Sequence, residues 1–445
     1  MKKVITYGSF DLFHEGHYNL LRKARELGDM LIVGVTTEQY DISRGKMNIV
    51  DSLMRRLENV RQTGFADEII IEDHEGQKIE DIQKYGIDTF VLGSDWKGKF
   101  DHLKQYCNVV YLERTKDVSS TMVRQERYGI IRLGFVGTGR IAGRFLEETI
   151  YVSGIEKGGV FNPRLESARK FAEAFSIGYY SDDYDSFLDA VDAVYVASPH
   201  ETHYDYCRRA ILAGKHVLCE KPMVLKECEA RELFTLATEQ GVVLMEAIKT
   251  AYAPGFLNLV AIARGGRIGK IHDVEASFTK LIPDVPGARE YDPAVGGSFT
   301  ELASYPLLPI IKLMGCDYNE IEFDYFTNEA GIDTYAKARF RYDKGIATAK
   351  TGIGVKSEGQ LLISGERGYI IVQSPWWLLK SFEVCYENPA DNETFSAPFL
   401  GYGLRYELAD FAMRIAEPSW NNFKMKPDES IAMARIMECF LNKRE

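Results

Sequence analysis

Short apolar runs separated by amphipathic stretches dominate the N-terminal half of the chain. Val4-Ile5-Thr6-Tyr7, Leu31-Ile32-Val33-Gly34-Val35, Ile69-Ile70-Ile71, Phe90-Val91-Leu92 and Val109-Val110-Tyr111-Leu112 are apolar at consecutive positions. That is the pattern of strands buried on both faces. Between the first two, Leu20, Leu21, Ala24 and Leu27 recur at helical spacing, with Arg22, Lys23, Arg25 and Glu26 on the outer face. Parallel strands with helical crossovers follow. A second series begins with Gly129–Val136 and continues through Gly159-Val160-Phe161, Ala193–Ala197, His216-Val217-Leu218 and Val242–Met245. From about residue 271 the pattern changes to alternation. Ala336, Ala338, Phe340 and Tyr342 oppose Lys337, Arg339 and Arg341, which predicts a half-buried antiparallel sheet. The expected fold class is α/β, with two Rossmann-like parallel domains followed by an α+β domain carrying a large antiparallel sheet. Boundaries fall at residues 1–127, 128–247 and 248–445, and no Pro/Gly/Ser-rich linker separates the first two. Trp376 and Trp377 read as sheet-face core or subunit contact.

Composition narrows the function classes. A length of 445 residues suggests about three units, and a net charge of −11 argues against a nucleic-acid partner, which demands a basic face. Seven cysteines without a C-x-x-C pair read as reduced intracellular thiols. Asp11, His14 and Glu15 interrupt any signal-peptide core, and no apolar run is long enough to insert into a membrane. The expectation is a cytoplasmic protein.

The first strand runs into Gly8-Ser9-Phe10-Asp11-Leu12-Phe13-His14-Glu15-Gly16-His17 and then directly into a helix. A helix start offers unpaired N–H groups and a positive dipole end to phosphate. His14 and His17 stand where ring nitrogens donate to an α-phosphate in nucleotidyl transfer. Arg114-Thr115-Lys116-Asp117-Val118-Ser119-Ser120-Thr121 follows the fifth strand; Ser119 also reads as a helix N-cap. With Arg44-Gly45-Lys46 and Gly93-Ser94-Asp95-Trp96-Lys97-Gly98-Lys99-Phe100-Asp101, these segments resemble the glycerol-3-phosphate cytidylyltransferase family over about 125 residues. The resemblance implies that His14 and His17 stabilise the pentacovalent phosphate and that Ser9, Phe10, Lys46, Arg114, Thr115, Ser119 and Thr121 hold CTP. It implies further that Asp95 recognises the nucleotide, that Arg56 meets the acceptor phosphate, and that Mg2+ accompanies the triphosphate. Ser9 and Ser120 replace threonines, and Glu15 replaces an aromatic residue. H-x-G-H also occurs in adenylyltransferases and class I tRNA synthetases; the acidic chain and the R-T-x-x-V-S-S-T ending stand against the synthetases.

The second series opens with Gly137-Thr138-Gly139-Arg140-Ile141-Ala142 after a strand, the G-x-G-x-x-[GA] turn of a dinucleotide site. No acidic residue ends the next strand; Asn162-Pro163-Arg164 stands there, and Arg164 tips the expectation for NAD(P) towards NADP. Downstream come Ser198-Pro199-His200-Glu201-Thr202-His203 and Ala213-Gly214-Lys215-His216-Val217-Leu218-Cys219-Glu220-Lys221-Pro222, then Gly296–Tyr305. These resemble the Gfo/Idh/MocA oxidoreductase family over roughly residues 128–445. The cofactor site implied comprises Gly137, Gly139, Arg140, Ile141, Asn162, Arg164, Ser198, Pro199, His203, Glu220 and Lys221. Lys221 polarises the substrate carbonyl, its following proline fixes a cis bend, Tyr305 exchanges a proton, and Glu301 binds substrate hydroxyls or orients Lys221. Glu301 and Ala303 replace the family's Asp and Gly. Lys249 and Tyr252 stand where they reach the substrate.

Joined, the two sites predict a bifunctional enzyme: a reductase turning a keto or aldehyde sugar phosphate into a polyol phosphate, and a transferase making the CDP-polyol, a teichoic-acid or capsule type of precursor. The alternatives are an unrelated sugar substrate and a non-catalytic NAD(P)-binding module. The family resemblance also implies a homo-oligomer.

Overall fold

The five apolar runs of the N-terminal block become one parallel sheet: β1 (Lys3–Gly8), β2 (Met30–Thr36), β3 (Glu68–Glu72), β4 (Thr89–Gly93) and β5 (Asn108–Leu112), in the order β3-β2-β1-β4-β5. A computed structural model provides these coordinates and describes residues 1–43, 49, 51–113, 129–417 and 424–444. Val4, Val33 and Val91 pack with Leu21 and Ala24 of the helix Glu15–Arg25 on one face, while Ile5, Ile32 and Phe90 pack with Ile82 on the other. Two covered faces explain the continuous apolar runs. The chain steps outward from β1 to β3 and then returns to β4 on the other side of β1. A crevice therefore opens at the carboxyl ends of β1 and β4.

The chain divides into Met1–Ile130 with Tyr151–Gly154, and Ile131–Ile150 with Ile155–Glu445. The second unit contains two sheets. One is parallel: β6 (Ile131–Val136), β7 (Ile155–Phe161), β8 (Tyr180–Ser181), β9 (Ala193–Val196), β10 (His216–Glu220) and β11 (Leu244–Ala247), ordered β11-β10-β9-β6-β7-β8. Its switch point lies between β6 and β9. The last strand begins at Leu244 rather than Val242, and the short edge strand β8 has no apolar run to announce it.

The other sheet comprises β12 (Ile271–Thr279), β13 (Glu320–Thr327), β14 (Asp333–Tyr342), β15 (Gly345–Gly352), β16 (Leu361–Gly365), β17 (Gly368–Val372), β18 (Ser381–Tyr386) and β19 (Glu393–Ser396). Its order is β13-β14-β15-β12-β16-β17-β18-β19. Ala336, Ala338 and Phe340 are buried as the alternation predicts, and Arg339 pairs with Glu322 and Asp324 on the other face. The sheet is mixed, however, because β12 pairs with β15 in parallel. Between them the chain crosses over through the helix Ser304–Met314 to β13, and the antiparallel pairs β13–β14 and β14–β15 then bring β15 beside β12 in the same direction.

A buried ion pair ties the helix Arg140–Thr149 to the helix Leu404–Ala416. Glu148 accepts from Arg405 Nε at 2.6 Å and Arg405 Nη2 at 3.0 Å, and from the backbone N–H of Tyr402 at 2.9 Å. Arg405→Met leaves a carboxylate buried without its cation and is expected to cost about 3–5 kcal/mol. The Glu148→Leu/Arg405→Met double variant recovers most of it. Urea denaturation followed by circular dichroism measures both.

Candidate active sites

In the first unit β1 ends in a loop whose backbone is held in unusual conformations. Phe10 and Leu12 adopt left-handed φ values of 51° and 48°, which non-glycine residues rarely take. Asp51 restrains the turn: its carboxylate accepts from Leu12 N at 3.1 Å, and its own N–H donates to Asp11 at 2.9 Å. The loop delivers His14 as the N-cap of the helix Glu15–Arg25, where its Nδ1 accepts from Gly16 N at 3.0 Å. His17, one turn on, stacks on His14 with ring centroids 3.9 Å apart, and Phe10 packs edge-on against His17. Two imidazoles and a helix N-terminus therefore converge beside the β1–β4 crevice. Ser9 is buried at the start of this loop. Asp95 lies in the turn Ser94–Trp96 after β4. Lys46, Arg114, Thr115, Ser119 and Thr121 fall outside the described residues, as does the side chain of Asp95.

Arg56, the residue expected at the acceptor phosphate, lies inside the first unit. Its side chain is fully buried, and its guanidinium donates to the carbonyls of Ser9 (2.9 Å), Thr36 (2.7 Å) and Asp51 (3.0 Å). Glu38 lies 3.2 Å from its Nη2. A guanidinium bonded to three carbonyls braces the loops at the ends of β1 and β2, while its Nη2 makes no hydrogen bond among the described residues. Sequence spacing could not distinguish these roles.

In the second unit β6 enters the glycine turn. Gly137 has φ 102°, and a Cβ there would lie 2.7 Å from Ala197 O at the end of β9. At Gly139, the N-cap of the helix Arg140–Thr149, a Cβ would meet nothing within 4 Å. A tight turn beside an open helix N-terminus is a cradle for a dinucleotide pyrophosphate, so these residues fit the cofactor. Asn162 is fixed at the end of β7: its Nδ2 donates to Thr138 at 2.9 Å and its Oδ1 accepts from Arg164 N at 2.9 Å. The Arg164 side chain is exposed and makes no ion pair among the described residues.

Lys221 stands where β10 ends. Its peptide to Pro222 is cis, as the sequence predicts. The bend is bracketed by His203, whose Nδ1 lies 2.9 Å from Pro222 O and Nε2 2.9 Å from Ser198 O. Glu220 accepts from Tyr195 Oη at 2.5 Å. Lys221 Nζ donates to the backbone carbonyl of Glu301 at 3.0 Å and sits 5.6 Å from the centre of the Tyr305 ring. It is thus the carbonyl of Glu301, not its carboxylate, that orients Lys221. Tyr305 stacks on Phe278, and burial pushes its phenol pKa up, which keeps it protonated.

These groups line a cavity of about 380 Å³. Arg140, Ile141, Ser198, Pro199, His203, Glu220, Glu301 and Tyr305 all reach it, and so do groups that sequence motifs missed: Arg144, Lys280, Arg289, Phe278 and Trp377. Lys249 also lines it, whereas Tyr252 is buried with its hydroxyl on Glu246 O at 2.8 Å. Trp376 is core, donating to Ser277 O at 2.9 Å, while Trp377 packs edge-on against Phe278 at the cavity wall. Burial lowers the Lys249 pKa and raises that of Glu301. His200 is pushed down to about 4, first by burial and then by Arg289, His203 and Lys221, against an opposing pull from Glu201.

Two α/β units, each with a phosphate-accepting helix start at its switch point, define an enzyme of nucleotide chemistry with two sites. Residues 5–126 match the family described as cytidylyltransferase-like, residues 131–248 the oxidoreductase family with an NAD-binding Rossmann fold, and residues 256–371 the GFO/IDH/MocA C-terminal domain. The chain belongs to the cytidylyltransferase-like family through its first unit and to the GFO/IDH/MocA oxidoreductases through its second. It is similar to glycerol-3-phosphate cytidylyltransferase of Bacillus spizizenii, with 50% identity over 126 residues, 28% of this chain and 97% of the relative. It is also similar to scyllo-inositol 2-dehydrogenase (NADP(+)) IolU of Bacillus subtilis, with 27% identity across 69% of this chain and 95% of the relative. The solved structure of KijD10, a 3-ketoreductase from Actinomadura kijaniata in complex with NADP and TDP-benzene, superposes with a TM-score of 0.61 at 25% identity, covering 70% of this chain and 96% of that one. The protein is a CTP-using cytidylyltransferase fused to an NAD(P)-dependent oxidoreductase.

Two outcomes follow from the geometry. Arg56→Lys loses most of the fork of carbonyl bonds and is expected to destabilise the first unit by on the order of 3 kcal/mol. It raises KM for CTP and for acceptor together, whereas a phosphate ligand would raise the acceptor KM alone. His200 titrates near 4 in the folded chain against 6.5 ordinarily, so the unfolded chain takes up its proton first as pH falls. Its contribution is complete above pH 6.5 and is lost as pH drops towards 4. The wild type should lose on the order of 3 kcal/mol more than His200→Asn across that window, read from denaturation midpoints.

Proposed function

We propose that the first unit transfers CMP from CTP to a polyol phosphate, glycerol 3-phosphate or a near relative. An acceptor phosphate oxygen attacks the α-phosphorus, the bond to the β-phosphate breaks, and CDP-polyol and pyrophosphate form. In this reading His14 and His17 donate to the α-phosphate oxygens as negative charge builds there. Mg2+ enters in this reading as the counter-ion of the triphosphate.

The second unit, on the same proposal, interconverts a keto or aldehyde sugar phosphate and that polyol phosphate. When bound, the nicotinamide supplies or accepts the hydride. Lys221 polarises the carbonyl oxygen, and the protonated phenol of Tyr305 delivers the proton to the developing alkoxide. NADP is the preferred cofactor in this reading, because exposed Arg164 at the end of β7 is available to a 2′-phosphate and the relative IolU is named for NADP(+). Both reactions are assigned to the cytoplasm, where CTP and nicotinamide nucleotides are found. The functional division is residues 1–127, 128–247 and 248–445. Exposed Phe326, Ile346 and Tyr369 on the third sheet support a homo-oligomer.

One observation carries the coupling of the two steps. A cavity rich in cations surrounds Lys221 and Tyr305, in a chain whose other unit resembles enzymes named for a phosphorylated polyol. Supplying a ketose phosphate, NADPH and CTP to the full chain should yield CDP-linked product. Lys221→Ala should abolish that product when ketose phosphate is supplied and leave it intact when polyol phosphate is supplied. His17→Ala should abolish it in both cases. Chromatography of the nucleotides reads the result, and product that survives Lys221→Ala with ketose phosphate as the sole acceptor source sinks the coupling.

A further inference from the structure

Six cationic side chains line the second-unit cavity, Arg140, Arg144, Lys221, Lys249, Lys280 and Arg289, against three carboxylates, Glu220, Glu290 and Glu301. Arg140 and Arg144 project from the helix behind the glycine turn, the place for a dinucleotide pyrophosphate. Lys280 and Arg289 come from a different part of the chain, directly after β12 and at the helical turn Arg289–Tyr291. Arg289 is anchored: its guanidinium pairs with both oxygens of Glu201 and donates to His200 Nδ1 at 3.1 Å. Lys280 is exposed at the rim, and its ammonium makes no ion pair among the described residues.

Two residues that line this cavity, His200 and Glu301, also carry buried polar atoms without a hydrogen bond. Because His200 Nδ1 accepts from Arg289, the imidazole hydrogen sits on Nε2. That donor is buried and has no hydrogen-bond partner, and the His200 side chain is only 6% exposed. Glu301 Oε1 is likewise buried without a hydrogen bond. A hydroxyl-bearing ligand that reaches both atoms gives a partner to an orphaned donor and an orphaned acceptor. The cavity of about 380 Å³ is of the size of small-ligand sites.

We propose that this cavity contains a second anion subsite, Lys280 with Arg289, which holds the terminal phosphate of a short acyclic ketose or polyol while His200 Nε2–H and Glu301 Oε1 take its hydroxyls. The assignment rests on reading the second unit as a sugar-phosphate reductase and names the residues that select the phosphate.

The test uses the full chain with NADPH and two matched pairs, D-ribulose 5-phosphate with D-ribulose and dihydroxyacetone phosphate with dihydroxyacetone. The wild type should prefer the phosphorylated member in kcat/KM. Lys280→Gln should shrink that preference at least about tenfold, through KM for the phosphorylated member, and Lys280→Arg should restore most of it. Absence of preference in the wild type, or equal losses on both members of a pair in Lys280→Gln, overturns the subsite. Calorimetric titration of inorganic phosphate into the chain saturated with NADP+ gives a readout independent of turnover. Lys280→Gln should weaken or remove one phosphate-binding event. If no ketose is reduced yet that event is lost in the variant, the subsite stands and the sugar-phosphate reductase reading falls. If phosphate binding is the same in both proteins, the subsite falls.

Discussion

One buried imidazole holds the second site together. β9 and β10 are adjacent and parallel, so the loops at their ends emerge side by side. The ring of His203 spans them, with one nitrogen on Ser198 O and the other on Pro222 O. The backbone entering the dinucleotide turn region and the bend that carries Lys221 are thereby fixed relative to each other. Glu220, held by Tyr195, fixes the strand end just before the bend. With the backbone so constrained, the Lys221 ammonium needs only one acceptor, the Glu301 carbonyl, to settle its direction. Burial lowers the His203 pKa although its two carbonyl partners favour the charged form.

The first unit solves the same problem with a different group. There, too, chemistry sits where neighbouring strands end on either side of a switch point, and the emerging loops need a shared anchor. Arg56 provides it, gathering carbonyls from Ser9, Thr36 and Asp51. A guanidinium suits three carbonyls because it presents five donors in a rigid fork and no acceptor. The two histidines are then supported by the helix they start and by aromatic neighbours. In both units the polar group that matters most to geometry lies beneath the site.

This is also why some features were legible in the sequence and others were not. Strands buried on both faces are apolar at nearly every position, so β1, β2, β4 and β9 announce themselves, whereas β3 and β7 do so only over their apolar stretches. Turns that demand glycine and the His14–His17 pair at a helix start are local, and a short window contains them. The carbonyl bonds of Arg56 are not legible, because spacing locates a residue on a helix but cannot say whether its head meets solvent or three carbonyls. At Glu301 it is the backbone carbonyl that takes the Lys221 ammonium, a function open to any residue type. Lys280, Arg289 and Trp377 come to the cavity from an irregular loop and a distant turn, where no period or motif marks them. The parallel β12–β15 pair depends on the path of a long crossover, which alternation within each strand does not encode.

On the proposed reading one polyol phosphate serves two kinds of site, and the electrostatics of the second cavity bear on how. Reduction happens at a carbonyl carbon, so the phosphate there is a handle. It can be gripped by fixed charges such as Lys280 and Arg289 without touching the reaction. In nucleotidyl transfer the same phosphate is the nucleophile. A cation clamped on every oxygen would stabilise the ground state as much as the transition state and slow the attack. The acceptor must then be positioned with at least one oxygen left unencumbered, while donors concentrate on the α-phosphate, where His14 and His17 lie stacked. Arg56, through its bonds to backbone carbonyls, holds the start of the loop that leads to those histidines.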